Sequence, residues 1–394
     1  MTISSFQATG PSCISFGEVT RKLARNRSNI LLIFVPIGIF AANTNYSDTI
    51  VFTLNCLAMI GLANVLCRAT DDVASYMGEG AGALLNITMG NATEVVLFHA
   101  LLHGQYMIVR TPFLGSIIVN LLLVLGLAMF VGEVQHRGQT YNILATRAAA
   151  CLLSLITTTL LVPVSLFSTL RTLTNRKHVA RHILNFSRAI SIVLFLVYLI
   201  YLASQFRSSR FAYKSLIRLD PSSPTQPEVF QIIDLGHAVR EHSRSFSYTA
   251  DPKTWPILLL TFTTGLISFC GKYLVESIDH LVDHSPLSTT IGLIILPIVG
   301  NAAELVSTMM FASRKQINLA FAISIGSAIQ IALFVTPLVV ILGWILGRDM
   351  ALHVSIFEAI SLIGSTVLFF SLAIDEKCSH RKGALLTTGY TIIA

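Results

Sequence analysis

The chain has 394 residues, of which 53% are hydrophobic and only 12% charged. Soluble domains carry about 25% charged residues, so this composition, with a mean hydropathy of +0.71, excludes an ordinary soluble protein and points to one embedded in a bilayer. The formal net charge of +7 does not argue for nucleic acid, because basic residues on the cytosolic loops of a membrane protein set its topology.

Residues 1–28 carry Arg21, Lys22, Arg25 and Arg27 but no apolar core, so they read as a cytosolic tail and not as a signal peptide. Beyond them come apolar runs of the length a bilayer demands, about 20 residues of helix. They lie at 30–47, 49–67, 81–103, 113–132, 147–168, 189–206, 255–274, 288–312, 317–346 and 352–374. A shorter run at 383–394 reads as an eleventh span, clipped or only partly embedded. Pro337 predicts a kink in the long run 317–346. The polar segment 207–254, with Pro221, Pro224 and Pro227, reads as a cytosolic linker. The expected organisation is therefore all-α and polytopic: a leading helix at 29–48, a five-helix block at 49–206, the linker, and a second five-helix block at 255–394. With the tail in the cytosol, about 19 basic residues fall inside and about 8 outside, although the basic stretch 171–182 falls outside against the trend. The six cysteines form no CxxC pair and suggest neither a disulfide framework nor a zinc site.

The two blocks carry a repeat. LLNITMGNATEVVLFHALL contains Gly90-Asn91-Ala92-Thr93-Glu94, and ILPIVGNAAELVSTMMFA contains Gly300-Asn301-Ala302-Ala303-Glu304. The run after each also matches, LGSIIVNLLLVLG (114–126) against IGSAIQIALFVTP (325–337). Because each block has five spans, an odd number, the second enters the membrane from the opposite side and the repeats are inverted, as in secondary transporters. Asn86 and Asn91 also fit the glycosylation sequon. The second copy replaces Thr93 by Ala303 and keeps Asn301 and Glu304, so the retained feature is the Asn and Glu. A mid-span carboxylate costs about 2.5–3.5 kcal/mol on insertion scales and marks an ion path by default. Asn and Glu at i and i+3 share a helix face. Gly90, Gly300 and Pro297 predict that each helix loosens just before its Asn, with Pro297 disfavouring helical geometry at Leu296.

Antiparallel crossing would bring Glu94, Glu304, Asn91 and Asn301 to one oxygen-rich site, which suits a hard cation such as Ca²⁺. Two carboxylates match a divalent charge. Once the cation leaves, they repel each other, and protons neutralise the empty site. Cation and proton thus compete for the same oxygens, which is antiport in its simplest form. His99 and His103, at i and i+4 in the third run, could serve a proton path or bind metal, but are more simply packed or interfacial.

GALLNITMGNATEVV, LGSIIVNLLLVLG, GLIILPIVGNAAE and IGSAIQIALFVTPLVVILGW resemble the vacuolar Ca²⁺/H⁺ exchangers of fungi and plants, within the cation/Ca²⁺ exchanger superfamily, over about residues 21–390. The resemblance implies eleven spans in two inverted repeats and exchange of Ca²⁺ for H⁺ by alternating access at a vacuolar membrane. It implies Ca²⁺ held by Glu94 and Glu304 beside Asn91 and Asn301, and no cofactor apart from the transported Ca²⁺ and H⁺. Ser116, Ser327 and Gln330 fall where the family lines its ion path, and Asp71, Asp72 and Glu276 match acidic positions near the two approaches. The lipid bilayer is the expected surroundings, no nucleic acid is expected as a partner, and oligomeric state stays open. Two departures stand out: Leu305 replaces the family's His after the second Glu, and Val119 replaces a Ser. They leave room for another cation, Mn²⁺ or a monovalent one, or for a non-transporting regulatory paralogue.

Overall fold

The computed structural model describes residues 27–44, 46–77, 82, 85, 88–91, 101, 106–173, 176–218, 254–282, 291–352, 354–372 and 377–394. These residues are overwhelmingly helical. A 3-10 turn, Arg27–Ile33, leads into α1 (Phe34–Ala42), and α2 (Asp48–Met77) follows. Next come α3 (Tyr106–Ile118), α4 (Leu125–Gln135), α5 (Ile143–Leu173) and α6 (Arg176–Arg218). The later part holds α7 (Thr254–Val282), the short α8 (Leu296–Gly300), α9 (Ala302–Ser313) and α10 (Ile317–Gln330). It closes with α11 (Thr336–Ile345), α12 (Ile356–Leu372) and α13 (His380–Ile393).

Among the described residues, six stretches are long and apolar enough to cross a bilayer: 48–77, 109–135, 143–165, 181–204, 254–278 and 317–345. Gly292–Gly300 and Ala302–Ser313 together make a further candidate, bent by 60°. Ile30–Ala42 and Ile356–Leu372 are shorter apolar helices. Most of the expected span 81–103 lies outside the described residues, and with it Glu94 and His99. Several helices outrun the apolar runs that announced them. α2 continues through Asp71 and Asp72 to Met77, and α6 runs to Arg218, so 207–218 of the expected linker is helical. Apolarity marks the hydrocarbon layer, whereas a helix continues as long as its own backbone bonds are made, so its polar ends reach past that layer.

Among the described residues, three π-turns interrupt the helices. Val119–Val124 joins α3 to α4, Ile331–Val335 joins α10 to α11, and Ile291–Ile295 precedes α8. Pro297 and Pro337 each stand second in the helix that follows such a turn. Proline has no N–H for the i→i−4 bond and crowds the carbonyl four residues back, so the turn before it widens. This corrects one expectation: Leu296 is not displaced from the helix but opens α8, and the distortion falls on the turn before it.

The bundle packs α2 along α7 and α4 against α13. α13 meets α4 at two glycines. A Cβ on Gly383 would lie 2.6 Å from the Gly126 carbonyl oxygen and 2.7 Å from the Phe130 nitrogen, so only a residue without a side chain permits this approach. The 14 residues of α13 rise about 21 Å, short of the ~30 Å hydrocarbon layer. At the centre, every residue from Thr111 to Leu122 is buried. That stretch of α3 and its π-turn carries half of the candidate site.

Candidate cation site

The site forms where α8 stops. Asn301 stands between α8 and α9 at φ −95° and ψ 18°, so the interruption falls on the Asn itself, one residue beyond Gly300, rather than ahead of it. Its backbone N–H still donates to the Pro297 carbonyl at 3.0 Å, and its carbonyl accepts from Leu305 N–H at 2.9 Å. The side chain does not cap α9. Its Nδ2 donates to the Pro297 carbonyl at 2.8 Å and to Ser116 Oγ at 2.9 Å, while its Oδ1 accepts from Asn120 Nδ2 at 2.7 Å. Asn301 is 1% exposed, and a buried amide must find such partners within the protein.

Asn120 sits in the π-turn after α3 and is fully buried. Its Nδ2 also donates to the Ser116 carbonyl at 3.0 Å, four residues back, and its own carbonyl accepts from Ser324 Oγ at 2.5 Å. Its Oδ1 is buried with no protein partner among the described residues. That leaves an oxygen for a cation beside Asn301. Glu304 is half-buried in the first turn of α9, where the positive end of a helix favours a carboxylate. The charge of Glu304 acts on Cys67 of α2, so α9 lies close to α2 at this level. Thr308, one turn beyond Glu304, is fully buried, and its Oγ1 has no partner among the described residues.

A second amide centre is built around Asn91. Asn91 is 3% exposed, and its Nδ2 donates to Gln330 Oε1 at 3.1 Å. Gly90 ends the short helical stretch 88–90 and Asn91 forms the turn after it. Gln330 ends α10, just before its π-turn, and Ser327 lies half-buried three residues earlier. The two centres are built crosswise. Asn91 is held by Gln330, far along the chain, and Asn301 by Ser116 and Asn120, nearer its start. Asp72 is half-buried beside Asp71 on α2. Glu276 lies at the surface of α7 and pairs with Lys272 at 3.8 Å. No cluster of three or more His, Cys, Asp or Glu occurs among the described residues, so what is assembled there is a set of amides and hydroxyls beside Glu304.

Two of these residues escape the sequence reading. Aligning the repeats on Gly115-Ser116 and Gly326-Ser327 sets Val119 opposite Gln330 and draws attention one residue short of Asn120. The cost of an amide inside an apolar run, which marks Asn91, marks Asn120 equally. Thr308 carries no such signal, because a helical Thr satisfies its hydroxyl on its own backbone.

Comparison with known proteins agrees with this architecture. The chain is 34% identical to the vacuolar calcium ion transporter of Schizosaccharomyces pombe over 367 residues, covering 93% of this chain and 83% of that protein. It is 32% identical to a Ca²⁺/H⁺ antiporter of Synechocystis over 372 residues, covering 93% of this chain and 95% of that protein. Its fold is similar to the crystal structure of the Ca²⁺/H⁺ antiporter YfkE, with a TM-score of 0.70 and 26% identity, covering 93% of this chain and 98% of that one. The sodium/calcium exchanger protein family matches residues 47–207 and 255–394, and the chain belongs to that family.

Proposed function

We propose that the chain is a secondary antiporter that moves Ca²⁺ against H⁺ by alternating access. The observation that carries this reading is the crosswise pairing of the two amide centres. Asn91 is held by Gln330, and Asn301 by Ser116 and Asn120, an exchange of partners between the two halves of the chain that an inverted repeat accommodates. Eleven spans follow, one leading helix and two inverted five-helix blocks at 49–206 and 255–394, joined by a cytosolic linker. Relatives named vacuolar calcium ion transporter and vacuolar cation/proton exchanger support a vacuolar membrane, and the bias of basic residues supports an N-terminus in the cytosol.

In this mechanism Glu94 and Glu304 neutralise Ca²⁺, while Asn91, Asn301 and the unpartnered oxygen of Asn120 replace part of its water shell. When Ca²⁺ leaves to one side, protons take its place on the carboxylates, and the neutralised site can reorient without carrying a net charge through the bilayer. Asp71 and Asp72 draw cations toward one mouth and Glu276 toward the other. Gln330 and Ser116 hold the amides in place, and Ser327 lines the ion path. Leu305 packs against the apolar core where the related family has a His, which supports a second reading with Mn²⁺ as the cargo. Purified protein in liposomes carrying a pH gradient separates the two. Radioactive calcium should accumulate and resist excess unlabelled Mn²⁺. Accumulation abolished by equimolar Mn²⁺ would favour the second reading, and no gradient-driven uptake of any cation would exclude both.

A further inference from the structure

Glu358 is 2% exposed and belongs to none of the motifs above. It stands third in α12, and the turn around it is a capping box. The Ser355 N–H donates to Glu358 Oε2 at 2.6 Å, and the Glu358 N–H donates to Ser355 Oγ at 3.2 Å. A capping glutamate normally spends its second oxygen on water. Here Oε1 accepts from the hydroxyl of Thr111, on α3, at 2.8 Å. Arg110, next to Thr111, is electrostatically coupled to Glu358. Its Nε is buried with no partner among the described residues.

Thr111 heads a ladder of contacts between α3 and the interrupted span. A Cβ on Gly292 would lie 3.2 Å from the Thr111 methyl. One turn on, a Cβ on Gly115 would overlap the Leu293 carbonyl and the Pro297 ring. The next residue, Ser116, accepts from Asn301 at 2.9 Å. Thr111 therefore uses both branches of its side chain: its methyl faces the approach to α8 and its hydroxyl is tied to α12. Pro112, inside α3, removes one backbone hydrogen bond, so α3 is least self-supporting at the level where Glu358 holds it.

From this geometry we infer that Glu358 is a positioning residue for the Asn301 half of the cation site, acting through the Thr111 hydroxyl. α12 thereby sets where Ser116 and Asn120 meet Asn301, five and nine residues along from Thr111. A hydrogen bond that orients a ligand-bearing group typically governs affinity by about 10-fold or more. The inference rests on the exchange reading only for the choice of ion.

Thr111→Val keeps the methyl and removes the hydroxyl; Thr111→Ser keeps the hydroxyl. Calcium affinity of purified protein, measured by equilibrium dialysis, should weaken about tenfold in Thr111→Val and recover most of the way in Thr111→Ser. Hydrogen exchange over 291–301 reads the same contact without any ion, and protection should fall in Thr111→Val alone. Wild-type affinity in Thr111→Val overturns the inference, whether or not protection falls. If the wild type binds no calcium, unchanged protection in Thr111→Val overturns it. Calcium binding without proton-driven uptake would instead count against the antiport reading alone.

Discussion

At the scale of the residue, the site depends on how few partners each buried amide has. Asn301 spends both side-chain ends on protein, whereas Asn120 keeps one oxygen in reserve. Asn120→Leu fills the same space but strands Asn301 Oδ1 and deletes that oxygen. The apparent KM for calcium should rise about tenfold or more, read as initial uptake rate against calcium concentration. Asn120→Asp, which keeps the acceptor, should lose less. A different residue gives a pH-dependent signature away from the spans. Burial, and then Glu133, push the Cys378 thiol up to about 12, with Lys382 opposing. Its sulfur lies 3.5 Å from the Met129 carbonyl. The folded state thus favours the protonated thiol over the whole interval between the ordinary value and about 12. At pH 8 Cys378 should resist alkylation in the native protein and react once the chain is unfolded, as mass spectrometry of its peptide would show. Fast native labelling would mean that α13 is not docked.

At the scale of the element, the helices are governed by where their backbone bonds fail. Pro297 and Pro337 could be seen in the sequence, but the π-turns ahead of them follow only from where the chain places the lost bond. The third π-turn, Val119–Val124, has no proline behind it. There the Asn120 side chain donates to the carbonyl four residues back, and that substitution is invisible before the fold is known. Gly115 shows the same limit. A lone glycine in an apolar helix announces little, yet its missing side chain is what lets α3 touch α8. Gly115→Ala should force these helices apart, costing about 1–3 kcal/mol of stability. A lower unfolding midpoint in detergent, with weakened calcium affinity, is the expected pair of results. Gly364→Ala, in α12, where a Cβ meets open space, serves as the control and should leave both unchanged.

At the scale of the whole molecule, the sequence carried the all-helical character and the family. The Gly-Asn-Ala-x-Glu repeat singled out Asn91 and Asn301, and in the fold Asn91 meets Gln330 while Asn301 meets Ser116 and Asn120. What the sequence could not carry is cross-chain geometry: the meeting of Thr111 with Glu358 joins residues 247 positions apart, with no periodicity to reveal it. A site built between two blocks should couple ligand binding to the stability of the entire bundle. Calcium at about 100 times its Kd should stabilise the folded protein by roughly 2.7 kcal/mol, visible as a raised unfolding temperature. Glu304→Gln should abolish most of that rise.

The most direct measurement of the exchange follows both ions at once in liposomes containing the purified protein, with radioactive calcium outside and a pH-sensitive dye within. The wild type should take up calcium only while an acid-inside pH gradient stands, and each increment of calcium entry should be matched by proton exit. Glu94→Gln and Glu304→Gln should each stop both movements. Calcium uptake that persists after the pH gradient is collapsed, or that survives in either variant, would contradict a shared carboxylate site for calcium and protons.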